Sequence, residues 1–99
     1  MERKLAPHEL KLYKRCGEVL YYIWDPIGVA GAPGARDEYE SYLPQVFKLL
    51  RDGEGENQIV DYLVSVETDS MGLSPNRDRA KNAAAVLLEW RDWIAGEAP

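Results

Sequence analysis

The chain has 99 residues, of which 45% are hydrophobic, and a net charge of −5. This length suits one domain with a small core, and a composition with three tryptophans excludes a disordered chain. The single cysteine, Cys16, excludes an intramolecular disulfide and a cysteine-based zinc cluster.

The first predicted helix covers residues 7–24. Pro7 suits its first turn, where the missing N–H costs nothing. Apolar residues recur at spacings of three or four and predict one buried face: Leu10, Tyr13, Cys16, Leu20 and Ile23. A proline disfavours helical conformation in the residue before it, so the helix should end at Trp24 or Asp25. Trp24, Asp25, Pro26 and Gly28 then frame a type I turn, with Asp25 at its first position.

Three further helices are predicted over residues 37–51, 57–67 and 75–95. Asp37 and Glu40 form a capping-box-like start for the second helix, in which Pro44 requires a kink or a restart near Ser41. Asp52 and Gly53 end that helix. The fourth helix is predicted to begin with Ser74 as N-cap, to present an alanine-rich face and to end at Gly96. Four helices with short connections predict a single compact all-α bundle.

The negative charge is concentrated in residues 37–69, which carry nine acids against two basic residues. Such a segment disfavours nucleic acid as a partner and favours a basic protein. The bland interpretation is a solvated, solubilising face. The charged amino terminus and the lack of a long apolar run predict a cytoplasmic protein with no membrane segment.

No group of residues predicts a catalytic centre, a metal site or a cofactor. His8 is the only histidine, and Cys16 is interpreted as a small core residue rather than a reactive thiolate. The glycines of residues 28–34 do not match a phosphate-binding loop. Asp25, Asp37 and the nearby glutamates could ligate a cation, but their positions are explained by turn and helix capping.

The aromatic residues around this turn are the best candidates for a binding surface. Adjacent Tyr21 and Tyr22 point about 100° apart on a helix, so both are not expected to be buried equally. Core packing around a loop is the bland alternative, above all for Trp24. The predicted contact residues combine exposed aromatic and acidic side chains: Tyr22, Asp37, Glu38, Glu40 and Tyr42.

A pattern is formed by residues 24–28 (Trp-Asp-Pro-Ile-Gly) and 37–39 (Asp-Glu-Tyr), with Tyr42, Pro44, residues 62–63 (Tyr-Leu) and residues 71–73 (Met-Gly-Leu). The pattern resembles that of small bacterial helical proteins of unknown function and, more remotely, of the YugE-like family. The resemblance covers roughly residues 19–73. It implies a small, helical, cytoplasmic protein, and some similar proteins look like immunity partners of bacterial toxins. It assigns no functional residue.

Three functional hypotheses follow. The first is a protein-binding domain without catalysis, such as an acidic immunity-type inhibitor of a basic toxin. The second is a small-ligand-binding or enzymatic domain that uses the loop between residues 25 and 40. The third is a homodimer formed through the aromatic residues or the alanine face of the last helix.

Overall fold

The computed structural model describes residues 5–25 and 39–97, and within these ranges the chain is helical with no strand. Four α-helices lie entirely within these ranges: α1 (Pro7–Val19), α2 (Leu43–Arg51), α3 (Glu56–Ser65) and α4 (Arg77–Glu97). A π-helical turn extends α1 over Leu20–Trp24, and a second extends α3 over Val66–Ser70. The Cα radius of gyration of 13.2 Å is that of a compact chain of this length. The predicted all-α bundle is therefore confirmed.

The longest helix, α4, is the centre of the bundle. It packs mainly against α1, the first π-turn and α3, and α2 packs against α1. Helices α1 and α4 are antiparallel. Arg15 of α1 lies over Trp90 of α4, whereas Leu12, earlier in α1, lines a cavity with Ile94, later in α4. The largest fully buried side chains come from all of these elements and include Trp24, Tyr39, Leu50, Leu63 and Leu87.

The buried face of α1 differs from the predicted one. Pro7 does occupy the first turn, and Glu9 Oε1 accepts the Ala6 N–H at 3.0 Å. Leu10, however, is 44% exposed, and Leu12 is buried in its place. At the other end, the π-turn puts Trp24 rather than Ile23 at a fully buried position. The buried face of α1 therefore begins at Leu12, two residues later than predicted, and the π-turn shifts its last buried residue from Ile23 to Trp24.

Helix α2 restarts after a separate turn. Tyr39 and Glu40 are helical, and Ser41 and Tyr42 form the turn, with the Tyr42 N–H donating to Tyr39 O at 3.0 Å. The helix then runs from Leu43 with Pro44 in its first turn, where proline costs no hydrogen bond. Its end is followed by Gly53 at φ 80°, as the sequence predicted. The predicted start at Asp37 lies outside the described residues.

Helix α4 begins at Arg77, and the predicted cap at Ser74 is wrong. Asn76 Oδ1 accepts the Arg79 N–H at 3.0 Å, so Asn76 caps the helix. The alanine face is fully buried at Ala80, Ala83 and Ala84. No helix in the described ranges combines the length and the apolar character that crossing a bilayer requires.

Candidate functional site

The two π-helical turns meet inside the bundle. The Asp25 N–H donates to Leu20 O and the Met71 N–H to Val66 O, both at 3.0 Å, so each turn closes over five residues instead of four. Trp24 ends the first turn, and its Nε1–H donates to Glu67 Oε2 in the second at 2.8 Å. Such turns are rare within α-helices and often lie at functional sites.

Glu67 is a fully buried carboxylate that the protein itself surrounds with donors. Its Oε1 accepts the Asn76 N–H at 2.9 Å and lies 3.5 Å from an Arg79 guanidinium nitrogen. Asn76 precedes α4, so the carboxylate lies at the positive end of that helix, where a negative charge is favoured. From the π-turn that extends α3, Glu67 is therefore hydrogen-bonded to Trp24 at the end of the α1 segment and to Asn76 at the start of α4. These hydrogen bonds indicate a structural role.

Trp24, which donates to this buried carboxylate, belongs to an aromatic cluster. The Trp24 ring lies 5.6 Å from that of Tyr39 and 6.3 Å from that of Tyr42, measured between centroids. Tyr39 donates its hydroxyl to Asp25 Oδ1 at 2.6 Å. Asp25 has φ 32°, a left-handed conformation that aspartate tolerates better than most residues. Trp24 is thus a core residue, the interpretation that the sequence left open.

The predicted turn and contact residues fall in three groups. Pro26, Gly28, Asp37 and Glu38 lie outside the described residues, so the type I turn and the acidic pair stay predictions. Tyr22 is 62% exposed while Tyr21 is 6% exposed, which confirms the expected difference. Glu40 is exposed, whereas Tyr42 is half-buried with its ring against Trp24.

Glu40 faces α1 across a cleft, here called the α1–α2 cleft. Its volume is about 440 Å³, and it is lined by Tyr13, Lys14, Gly17, Glu18, Glu40 and Leu43. Tyr22 lies one turn beyond Glu18 along the same helical segment. Its ring packs edge-on against Tyr21 with centroids 4.7 Å apart. The structure therefore brings Tyr22 and Glu40 to one side of the bundle, with Tyr42 turned inward.

The described acids of the middle segment, residues 39–69, differ in their surroundings. Glu67 is in the core, and Asp52 and Asp61 pair with Lys48 and Arg77 at 3.1 and 2.9 Å. Exposed Glu56 begins α3, and exposed Asp69 lies in the second π-turn. Among the described residues, burial of Glu67 and the ion pairs of Asp52 and Asp61 therefore reduce the negative charge that this segment presents to a partner.

The side chains weighed as reactive groups are placed as follows. Cys16 is fully buried, and burial raises the pKa of its thiol from 9.0 to about 12. A thiol with that pKa is not a nucleophile at neutral pH, so the interpretation as a core residue is confirmed. His8 is exposed near the start of α1. Within residues 5–25 and 39–97, no three His, Cys, Asp or Glu side chains are grouped as a metal site would require.

A second exposed feature, here called the α4 groove, was missed in the sequence. It has a volume of about 400 Å³ and is lined by Val86, Glu89, Trp90 and Trp93. Trp93 is 64% exposed. The spacing of these four residues marks one face of a helix and could have been found by plotting both faces of α4. The prediction instead assigned Trp90 to the alanine-rich buried face, which adjoins the groove on α4.

Comparison of the chain with known protein families, with curated proteins and with solved structures finds no match in any of the three. The resemblance to small bacterial helical proteins therefore stays a prediction. Arguments about function depend on the surfaces just described.

Proposed function

We propose that this chain is a protein-binding domain whose contact surface is the α1–α2 cleft together with Tyr22. The observation that carries the proposal is the exposed ring of Tyr22, which packs against Tyr21 and lies one helical turn beyond Glu18, a residue that lines the cleft together with exposed Glu40. Exposed tyrosines of restricted mobility give large contact areas at low entropic cost and are common among binding hot spots.

The charges of the cleft favour a basic partner. Glu40 is exposed and has no ion-pair partner among the described side chains, while Glu18 pairs with Arg15 at 2.7 Å. Lys14 adds one positive charge to the lining. A partner with a basic patch and an apolar contact for Tyr22 fits this surface. The narrower hypothesis of an immunity-type inhibitor of a basic toxin rests on the net charge of −5.

The test is affinity capture from lysate at low and high salt, followed by binding measurements with the partner so identified. We expect Tyr22→Ala to weaken binding at least about tenfold, the effect of losing a hot-spot residue. Glu40→Lys should weaken it at low salt and less at high salt. Glu56→Lys makes the same charge change at an exposed site in the first turn of α3, which lines neither the cleft nor the α4 groove, and serves as the matched control. If neither Tyr22→Ala nor Glu40→Lys changes the affinity, the surface is wrongly assigned.

The other two hypotheses receive less support. Most of the loop required by the small-ligand or enzymatic hypothesis lies outside the described residues, and the Asp25 carboxylate at its edge accepts the Tyr39 hydroxyl. Ala80, Ala83 and Ala84 are fully buried within one chain, which argues against a homodimer through the alanine face. A dimer through exposed aromatic residues stays a prediction, which sedimentation tests directly.

A further inference from the structure

The α4 groove is an apolar face that no described helix covers. Trp93 is 64% exposed, and Val86 and Trp90 are half-buried beside it. These residues and Glu89 occupy two successive turns of α4 and enclose about 400 Å³. A tryptophan exposed in an apolar groove is the kind of residue that forms the centre of a protein interface.

The two flanks of the groove differ in charge. Glu89 and Asp92 are exposed on one flank, where no described cation pairs with Glu89 and only the adjacent Arg91 approaches Asp92, at 3.7 Å. On the other flank the Arg15 guanidinium lies 5.0 Å from the centroid of the Trp90 ring. Arg15 is already paired with Glu18. The groove therefore presents one apolar floor and one acidic edge.

We propose that the α4 groove binds an amphipathic helical segment of another protein. The apolar ridge of that segment covers Trp93 and Val86, and its Lys or Arg side chains meet Glu89 and Asp92. Helices dock in such grooves through side chains at i, i+3, i+4 and i+7, which matches the two-turn length of this one. The inference goes beyond the proposed function because it uses neither Tyr22 nor Glu40.

A basic partner fits the groove better than a second copy of this chain packed antiparallel. Such a pair of α4 helices, related by a two-fold axis, would place the flank with Glu89 and Asp92 against the same flank of the other copy. Juxtaposed like charges disfavour an interface, whereas lysine or arginine at that edge is attracted.

The probe is a synthetic helical peptide of leucine and lysine, with leucine at i, i+3, i+4 and i+7. A second peptide with glutamate in place of lysine reports on charge. We expect saturable binding of the lysine peptide, measured by calorimetry, and little binding of the glutamate peptide. Trp93→Ala should weaken the affinity at least about tenfold. Because Trp93 is largely exposed, this variant should keep the wild-type circular dichroism spectrum and urea midpoint.

Charge variants separate the groove from general attraction. Glu89→Lys should weaken binding of the lysine peptide roughly threefold at low ionic strength, and the difference should vanish in molar salt. Glu56→Lys makes the same charge change at an exposed site in the first turn of α3, outside both proposed surfaces, and should leave the affinity unchanged.

Three results would overturn the inference. The first is a lysine peptide that does not bind, or binds equally to the wild type and to Trp93→Ala. The second is an equal effect of Glu56→Lys and Glu89→Lys, which means general charge attraction without a specific site. The third is a wild-type dimer in sedimentation that Trp93→Ala dissociates, which assigns the groove to a second copy. None of these results bears on Tyr22, so the proposed function and this inference fail independently.

Discussion

Replacing Glu67 by glutamine is the sharpest test of how this bundle is held together. The substitution keeps the size of the side chain but exchanges one carboxylate oxygen for an NH₂ group. Glu67 Oε2 faces the Trp24 Nε1–H, and Oε1 faces the Asn76 N–H and Arg79. Either orientation of the amide therefore points a donor at another donor.

The structure allows the magnitude to be worked out. Loss of a hydrogen bond that involves a charged group costs about 1.5–3 kcal/mol, and a buried donor left without an acceptor costs about 1–3 kcal/mol. Because Glu67 is fully buried, water does not replace the lost acceptor. We expect a decrease of roughly 3 kcal/mol in the free energy of unfolding. For a chain of this size that lowers the melting temperature by roughly 12–24 °C.

The assay is urea unfolding followed by circular dichroism, with Asp61→Asn as the matched control. That variant makes the same change from carboxylate to amide at a pair with Arg77 whose side chains are 66% and 53% exposed. Exposed pairs contribute about 0–1 kcal/mol, so the control should be nearly silent. A Glu67→Gln protein within about 0.5 kcal/mol of the wild type would refute the role assigned to the buried carboxylate.

Three further predictions concern single sites. Cys16 should resist a thiol reagent near neutral pH in the folded protein and react fully in urea. Burial raises the pKa of its thiol from 9.0 to about 12, so above pH 9.0 the unfolded chain loses this proton while the folded chain keeps it, and the free energy of unfolding should fall. Cys16→Ala should remove that fall. Gly17→Ala should raise the free energy of unfolding by about 0.5–1 kcal/mol, since the new Cβ would lie 3.5 Å from the Leu43 side chain, an ordinary contact; a loss of stability in urea would contradict this. Asn76→Ala should lower the melting temperature through loss of about 1 kcal/mol of capping energy, whereas Ser74→Ala should leave it unchanged.

The sequence predicted the elements that depend on local chemistry. Pro7 begins α1 because the fixed φ of proline suits the first turn of a helix. Gly53 follows α2 because glycine readily adopts the positive φ found after a helix end. Both effects act within a single turn. Pro44 required a kink or a restart, and the second is found. The cap of α4 was misplaced because Ser74 and Asn76 are both good caps, and the choice depends on the bond from the Asn76 N–H to Glu67.

The candidate sites were less accessible from sequence for two physical reasons. The π-turns have no known residue signature. The prediction therefore assumed a regular period of 3.6 residues along α1 and placed the last buried residue at Ile23 instead of Trp24. Glu67 was counted with the surface acids, because its donors lie 43 positions earlier, at Trp24, and 9 positions later, at Asn76. Tyr22 was found because neighbouring helical residues face different directions, and that geometry is local.

The paired π-turns also have a consequence for chain length. Each π-turn contains one residue more than an α-helical turn. The last turn of the helical segment that begins with α1, and that of the segment that begins with α3, are therefore each longer by one residue, which acts as an insertion. Deleting one residue from either turn would rotate everything beyond it by about 100° and carry Trp24 or Glu67 away from its partner. Among homologous chains we therefore expect the two insertions to be gained or lost together, a correlation in length rather than in residue identity.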